Sequence, residues 1–112
     1  MPRTSLGEIE HLILLAVLRL GREAYGAAVI AEIEARTGRD VSHAAVYIAL
    51  QRLEAKSYLA ARNARGTTDR GGRAKSTFTV TALGRSRLRE SASALFTMWD
   101  GLDPALRGET GE

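Results

Sequence analysis

The stretch VSHAAVYIALQRLEAKSYL, residues 41–59, concentrates side chains suited to recognition rather than to catalysis. On a helix of 3.6 residues per turn, Val46, Ala49, Leu50 and Leu53 form an inward stripe, which leaves Ala44, Ile48, Gln51 and Ala55 facing away with Tyr47 beside them. That outer face holds no Lys, Arg, Asp or Glu, the residues a surface helix normally displays. The Gln51 amide could make two parallel hydrogen bonds to a flat partner, and Ile48 could rest on a methyl group. The Tyr47 phenol and the His43 imidazole could reach an anion or a hydrogen-bonding edge, while Ala44 lets a partner approach the backbone.

A second feature is electrostatic. Residues 1–61 carry seven basic and seven acidic side chains, and residues 76–112 carry four and five. The net charge of +3 therefore arises in RNARGTTDRGGRAK, residues 62–75, where five basic side chains face one acidic one. Its Gly, Thr and Asn content predicts a turn or loop. Taken alone, such a basic loop reads equally well as a solvated hairpin tip.

Catalytic chemistry finds no support. There is no Gly-rich phosphate loop, no nucleophile elbow and no cysteine, and Glu32 and Glu34 point to diverging helix faces. The absence of cysteine also removes disulfides and thiolate metal sites, and it fits a reducing cytoplasm. His11 and His43 lie too far apart for a local metal pair, and His11 is read as structural, at a core or subunit boundary. No cofactor and no metal are expected. The longest apolar run, Leu12 to Leu18, is too short to span a bilayer, and the charge pattern of MPRTSLGEIEH is wrong for a signal peptide. With 112 residues, 45% hydrophobic and 26% charged, the composition is that of one globular domain.

Four helices and a hairpin must position these groups. Ser5 followed by Glu8 forms a capping-box pattern and Gly21 a stop, so the first helix is expected from about Leu6 to Leu20. It is apolar nearly all round, more than one small core can cover, which points to a second subunit. A second helix should run from near Tyr25 and Gly26 to Gly38 with Val29, Ile30 and Ile33 inside, and a third should start at the N-cap Ser42. YLAAR and KSTFTVT read as strands joined by the basic loop. Thr81 should cap a fourth helix whose residues Leu88, Ala92, Leu95, Trp99 and Leu102 form a continuous stripe.

This is the pattern of a mainly α protein with a small β-hairpin, an α+β winged helix-turn-helix: residues 1–81 as the DNA-binding domain with the wing at about 59–80, residues 82–103 as a C-terminal dimerisation helix, and 104–112 as a flexible tail. In such a fold the second helix of the helix-turn-helix lies in the major groove of double-stranded DNA. Gln51 could then pair with an adenine edge, Ile48 could meet a thymine methyl, and His43 and Tyr47 could meet phosphate or base edges. Arg65, Arg70, Arg73 and Lys75 would sit in the wing, against the backbone or a narrow minor groove. Each residue also has a plainer role: Tyr47 could pack under the wing, Gln51 could be an ordinary exposed glutamine, and Ile48 could be core. Leu12, Leu15 and the stripe from Leu88 to Leu102 would form the dimer interface, with Trp99 as its aromatic anchor. The competing class is a winged-helix module that binds protein through that stripe, but such a module has no need of a concentrated basic wing.

The chain also resembles the PadR family of bacterial transcriptional regulators. The resemblance rests on LGEIEHLILLAVL, AYGAAVIAEIEARTG, AVYIALQRLEAKSYL and GGRAKSTFTVTALGRSRL, in order from about Leu6 to Trp99. Tyr25 and Gly26, then Tyr47, Leu50, Leu53 and Glu54, then Phe78, Val80, Thr81 and Gly84 fit that family's pattern. Ile48 stands where many relatives have proline, and Ser57 where they usually have glycine. The resemblance implies a cytoplasmic homodimer built on the first and last helices, of the compact subgroup with one short C-terminal helix. It also implies repression of a promoter, relieved by a small aromatic or hydrophobic effector held by Phe96, Met98 and Trp99.

Overall fold

Helix starts and stops follow local backbone chemistry. The computed structural model describes residues 6–68, 74–102 and 106, with α1 spanning Glu8–Leu20, α2 Gly26–Thr37, α3 His43–Ala55 and α4 Ala82–Trp99. A hairpin of β1, Leu59–Thr68, and β2, Ala74–Val80, lies between α3 and α4. Gly21 and Gly38 end α1 and α2 with φ of 58° and 71°, a region glycine enters without steric cost. Ser42 caps α3 by accepting the Ala45 N–H at 3.2 Å, and Thr81 caps α4 by accepting the Gly84 N–H at 2.9 Å.

The start of α1 differs from expectation. Its N-cap is Gly7, and the acid that reaches back is Glu10, whose Oε1 accepts the Gly7 N–H at 3.0 Å. Ser5 lies outside the described residues. Glu8 instead pairs with Arg39 at 3.3 Å, exposed to solvent, where such a pair contributes little.

The core is filled by Ile13, Leu14 and Val17 of α1, Val29, Ile30 and Ile33 of α2, and Val46, Ala49, Leu50 and Leu53 of α3. Tyr58, Leu59 and Val80 at the wing base and Leu88 of α4 close it. Burial of each large aliphatic side chain contributes about 1.5–3 kcal/mol relative to exposure. The α2 and α3 stripes are those the period predicted.

The first strand is longer than expected, and the second keeps its length but starts and ends one residue earlier. β1 continues to Thr68 and β2 begins at Ala74, so much of the basic segment is antiparallel strand rather than loop. Leu59 pairs with Val80, Ala61 with Phe78 and Asn63 with Ser76, before an irregularity between Asn63 and Thr68 shifts the register. The hairpin is tied to the body where the Phe78 N–H donates to the Ala24 carbonyl at 3.0 Å and Tyr25 bridges to Thr77.

The turn from α3 into β1 is held from three sides. Ser57 sits at φ 66°, the Thr81 N–H donates to the Tyr58 carbonyl at 3.0 Å, and the Thr81 hydroxyl donates to the Ser57 carbonyl at 2.6 Å. Gly84 packs against the same turn so closely that an added Cβ would lie 2.2 Å from the Tyr58 carbonyl oxygen. Helix α4 then rests on α1 through the His11 ring, whose Nδ1 lies 2.9 Å from Ser91 Oγ. Partial burial holds the His11 pKa below its ordinary 6.5.

These contacts set how stability responds to substitution in the turn and to pH. Ser57→Gly should raise the unfolding free energy by about 0.5–1 kcal/mol, because it relieves a left-handed serine. Gly84→Ala should lower it by about 1–3 kcal/mol, since the clash with fixed backbone outweighs the gain in helix propensity; urea titration reads both. For His11, a depressed folded pKa means that the unfolded chain binds the proton more tightly, so its contribution is present above pH 6.5 and is lost as pH falls below that value. The loss of stability on acidification should therefore be smaller in His11→Asn than in wild type, and identical urea midpoints against pH for the two proteins would exclude the effect.

Candidate nucleic-acid interface

Helix α3 presents the face its sequence predicts. His43, Ala44, Tyr47, Ile48 and Gln51 are all exposed, Tyr47 at 46% and Ile48 at 50%, while Val46, Ala49, Leu50 and Leu53 fill the core behind them. Ile48 is therefore not core. Half-exposure leaves apolar isoleucine surface in water, a cost that a contacting partner would relieve by covering it.

Tyr47 is positioned by a neighbour the sequence did not reveal. A Cβ at Gly26 would lie 2.6 Å from the Tyr47 ring, so the ring lies directly on the first turn of α2. Absence of a side chain at position 26 is what admits it. Tyr25, Gly26, Tyr47, Gln51, Glu54 and Phe78 line a hollow of about 670 Å³ between α2, α3 and the wing. The N-cap residue of α2, Tyr25, makes no side-chain cap to the helix, so the amides of its first turn add partial positive charge at the rim of that hollow. The hollow, the bare α3 face and the wing together form a concave surface with both hydrogen-bonding and apolar groups.

Sequence reasoning passed over two exposed cations here. Arg52 lies one turn beyond Ile48 on the flank of the outer face, and Arg62 pairs with Thr77 at the wing base. The i, i+4 relation to Ile48 was the available signal for Arg52. Of the wing cations named from sequence, Arg65 falls in β1 and Lys75 in β2, but their side chains lie outside the described residues, as do Arg70 and Arg73 altogether.

A second surface lies on the opposite helices. Leu95 is 53% exposed, Phe96 73% and Met98 75%, and Trp99 and Leu102 each 41%. Ala92 and Leu12 are half-buried, and Leu15 is exposed. Leu88 departs from the stripe it was assigned to: only 7% exposed, it packs in the core of its own chain and has little surface left for a partner. Between α1 and α4 runs a groove of about 640 Å³ lined by Leu12, Leu15 and Leu95, with His11, Arg87 and Ser91 among its polar groups. Leu18 and Leu106, 38% and 64% exposed, extend the apolar surface beyond the predicted set.

No group of three or more potential metal ligands occurs among the described residues, and no described helix is long and apolar enough to cross a membrane.

Comparison with known proteins agrees with this geometry. Residues 14–90, more than half of the chain, match the Transcriptional regulator PadR-like family. No match is found among curated proteins. Among solved structures, a PadR family transcriptional regulator from Eggerthella lenta shares 27% identity, covers 80% of this chain and 76% of its own, and superposes with a TM-score of 0.64. A PadR family regulator from Clostridium difficile gives 24% identity, 82% and 91% coverage and a TM-score of 0.63. BpsR of Bordetella bronchiseptica, whose DNA binding is regulated by 6-hydroxynicotinic acid, gives 22% identity, 96% and 75% coverage and a TM-score of 0.64. The chain, a winged helix with an α+β fold and not an enzyme, belongs to the PadR-like family of DNA-binding transcriptional regulators.

Proposed function

We propose that the protein is a homodimeric repressor in the cytoplasm that reads a pseudo-palindromic operator in double-stranded DNA, with half-site centres about one helical turn apart. The observation that carries this reading is the exposed face of α3, free of Lys, Arg, Asp and Glu at its centre, set beside a wing that holds the chain's excess positive charge. Such a face would be a poor solvated surface but suits base edges, where Gln51 reads adenine and Ile48 meets a thymine methyl. His43, Ala44 and Tyr47 complete the contact, and Arg65, Arg70, Arg73 and Lys75 neutralise phosphate.

In this reading the second copy covers the apolar surface of α1 and α4, through Leu12, Leu15, Ala92, Leu95, Trp99 and Leu102. Support comes from the amount of large apolar side chain that α4 leaves in water. A small aromatic or hydrophobic effector, bound by Phe96, Met98 and Trp99 where the two α4 helices meet, would release the DNA. BpsR, whose DNA binding is regulated by 6-hydroxynicotinic acid, offers a precedent for control by a small aromatic ligand.

Selection of duplexes from a random pool, followed by anisotropy titration across a salt series, tests the DNA reading. Gln51→Ala should cost about 1–3 kcal/mol on the selected duplex and nothing on a scrambled one. Arg73→Ala should instead weaken both alike and reduce the salt slope by about one. Equal losses on both duplexes for Gln51→Ala would remove it from base reading, and failure to enrich any sequence would defeat the operator itself. For the interface, Trp99→Ala should move the sedimenting species from dimer toward monomer. An effector that frees DNA while leaving Trp99 fluorescence unchanged would refute its placement there.

A further inference from the structure

Among the described residues Glu10 is the one charged side chain that is buried, at 8% exposure, and both of its oxygens are used. Oε1 accepts the Gly7 N–H at 3.0 Å, and Oε2 accepts from Lys56 Nζ at 3.1 Å. Lys56 is the C-cap of α3, the helix proposed to read bases, and Glu10 sits in the first turn of α1, the helix proposed to carry the dimer. The carboxylate is buried while the Lys56 side chain stays about one-third exposed, so it is loss of the lysine that strands the glutamate. Lys56 also lies 6.0 Å from the centre of the Tyr58 ring, and the Tyr58 hydroxyl accepts from Arg87 Nε of α4 at 3.3 Å. The end of α3 is thereby fixed to both helices that border the α1–α4 groove. Gly7, whose amide Glu10 holds, and Arg87 both line that groove.

We infer that Glu10 and Lys56 are positioning residues for base reading: the pair sets the pitch of α3 against α1, and so ties the reading face to whatever occupies the groove. Neither group touches a base in this arrangement. The inference rests on the proposed reading of DNA by α3, and its test separates the two.

Removing Lys56 alone leaves Glu10 buried without its countercharge, so Lys56→Met loses stability as well as the link. The double variant Glu10→Gln, Lys56→Met removes both charges while keeping the Gly7 hydrogen bond and the aliphatic stem, and it should stay folded. In the double variant the ratio of affinities for selected and scrambled duplexes should fall roughly three- to tenfold, with the affinity for scrambled DNA and the salt slope unchanged. Lys56→Arg should retain the wild-type ratio. In the DNA-free protein, amide exchange at residues 53–56 should speed up in the double variant and not in Lys56→Arg. Equal weakening on both duplexes with a salt slope lower by about one would make Lys56 a phosphate contact and overturn the inference. An unchanged ratio, or unchanged exchange at the end of α3, would overturn it as well. If wild type selects no sequence at all, the operator reading fails by itself, and the exchange measurement still decides whether the pair holds α3.

Discussion

The three-residue turn Lys56–Ser57–Tyr58 is the constraint on which the arrangement of this protein depends. It ends α3, begins the wing, and is gripped by α1 through Glu10 and by α4 through Thr81, Gly84 and Arg87. Of these grips, Thr81 satisfies the Ser57 and Tyr58 carbonyls and Lys56 meets the buried Glu10 carboxylate, groups that would otherwise lack a partner in the fold. A serine in the left-handed region works against this by about a kilocalorie per mole. The turn persists because two hydrogen bonds from Thr81 and the close packing of Gly84 over-determine it. The path from α3 into the wing is set at this turn, and the Phe78–Ala24 hydrogen bond and the Tyr25–Thr77 bridge hold the hairpin to the body beyond it.

Period and caps made much of this legible from sequence. The inward and outward faces of α3 follow from the spacing of Val46, Ala49, Leu50 and Leu53, and Ser42, Gly38 and Thr81 mark their boundaries by chemistry that is local. What was not legible crosses elements. Glu10 and Lys56 are 46 positions apart, and a glutamate in an N-terminal turn looks like any other until its partner is placed. The Tyr47 ring lies on Gly26 because α2 and α3 cross there, which neither helix's own pattern states. Leu88 repeats in step with Leu95 and Trp99, but periodicity gives a stripe without saying which protein covers each part of it. The basic segment, rich in Gly, Thr and Asn, looked like loop because strand propensity is weak. Ladder pairing overrode it as far as Thr68 and Ala74.

Under the proposed function, separation of charge from the bare face of α3 has a physical logic. Phosphate contacts supply affinity without sequence information, and base edges supply discrimination at little charge. A lysine in the middle of α3 would attract every duplex alike and dilute the contribution of Gln51. By sequence the excess positive charge falls in residues 62–75, while on α3 the exposed Arg52 stands at the flank of the bare face.

The outer half of α4 completes the argument from the opposite side. Its first turns are anchored by Thr81, Gly84, Leu88 and Ser91, whereas Leu95, Phe96, Met98 and Trp99 leave the body of the chain and face water. A helical segment that short is marginal when nothing packs against it. The exposed residues begin beside the groove that α1 borders with Leu12 and Leu15, so a second copy covering α4 as proposed would meet that groove as well. Helix α1 thus stands between the groove and α3, packed on α3 through the core and tied to its end by the Glu10–Lys56 pair. If the inferred role of the pair holds, an occupant that shifts α1 against α4 acts on α3 through Lys56, because losing that contact would leave the Glu10 carboxylate buried without its partner.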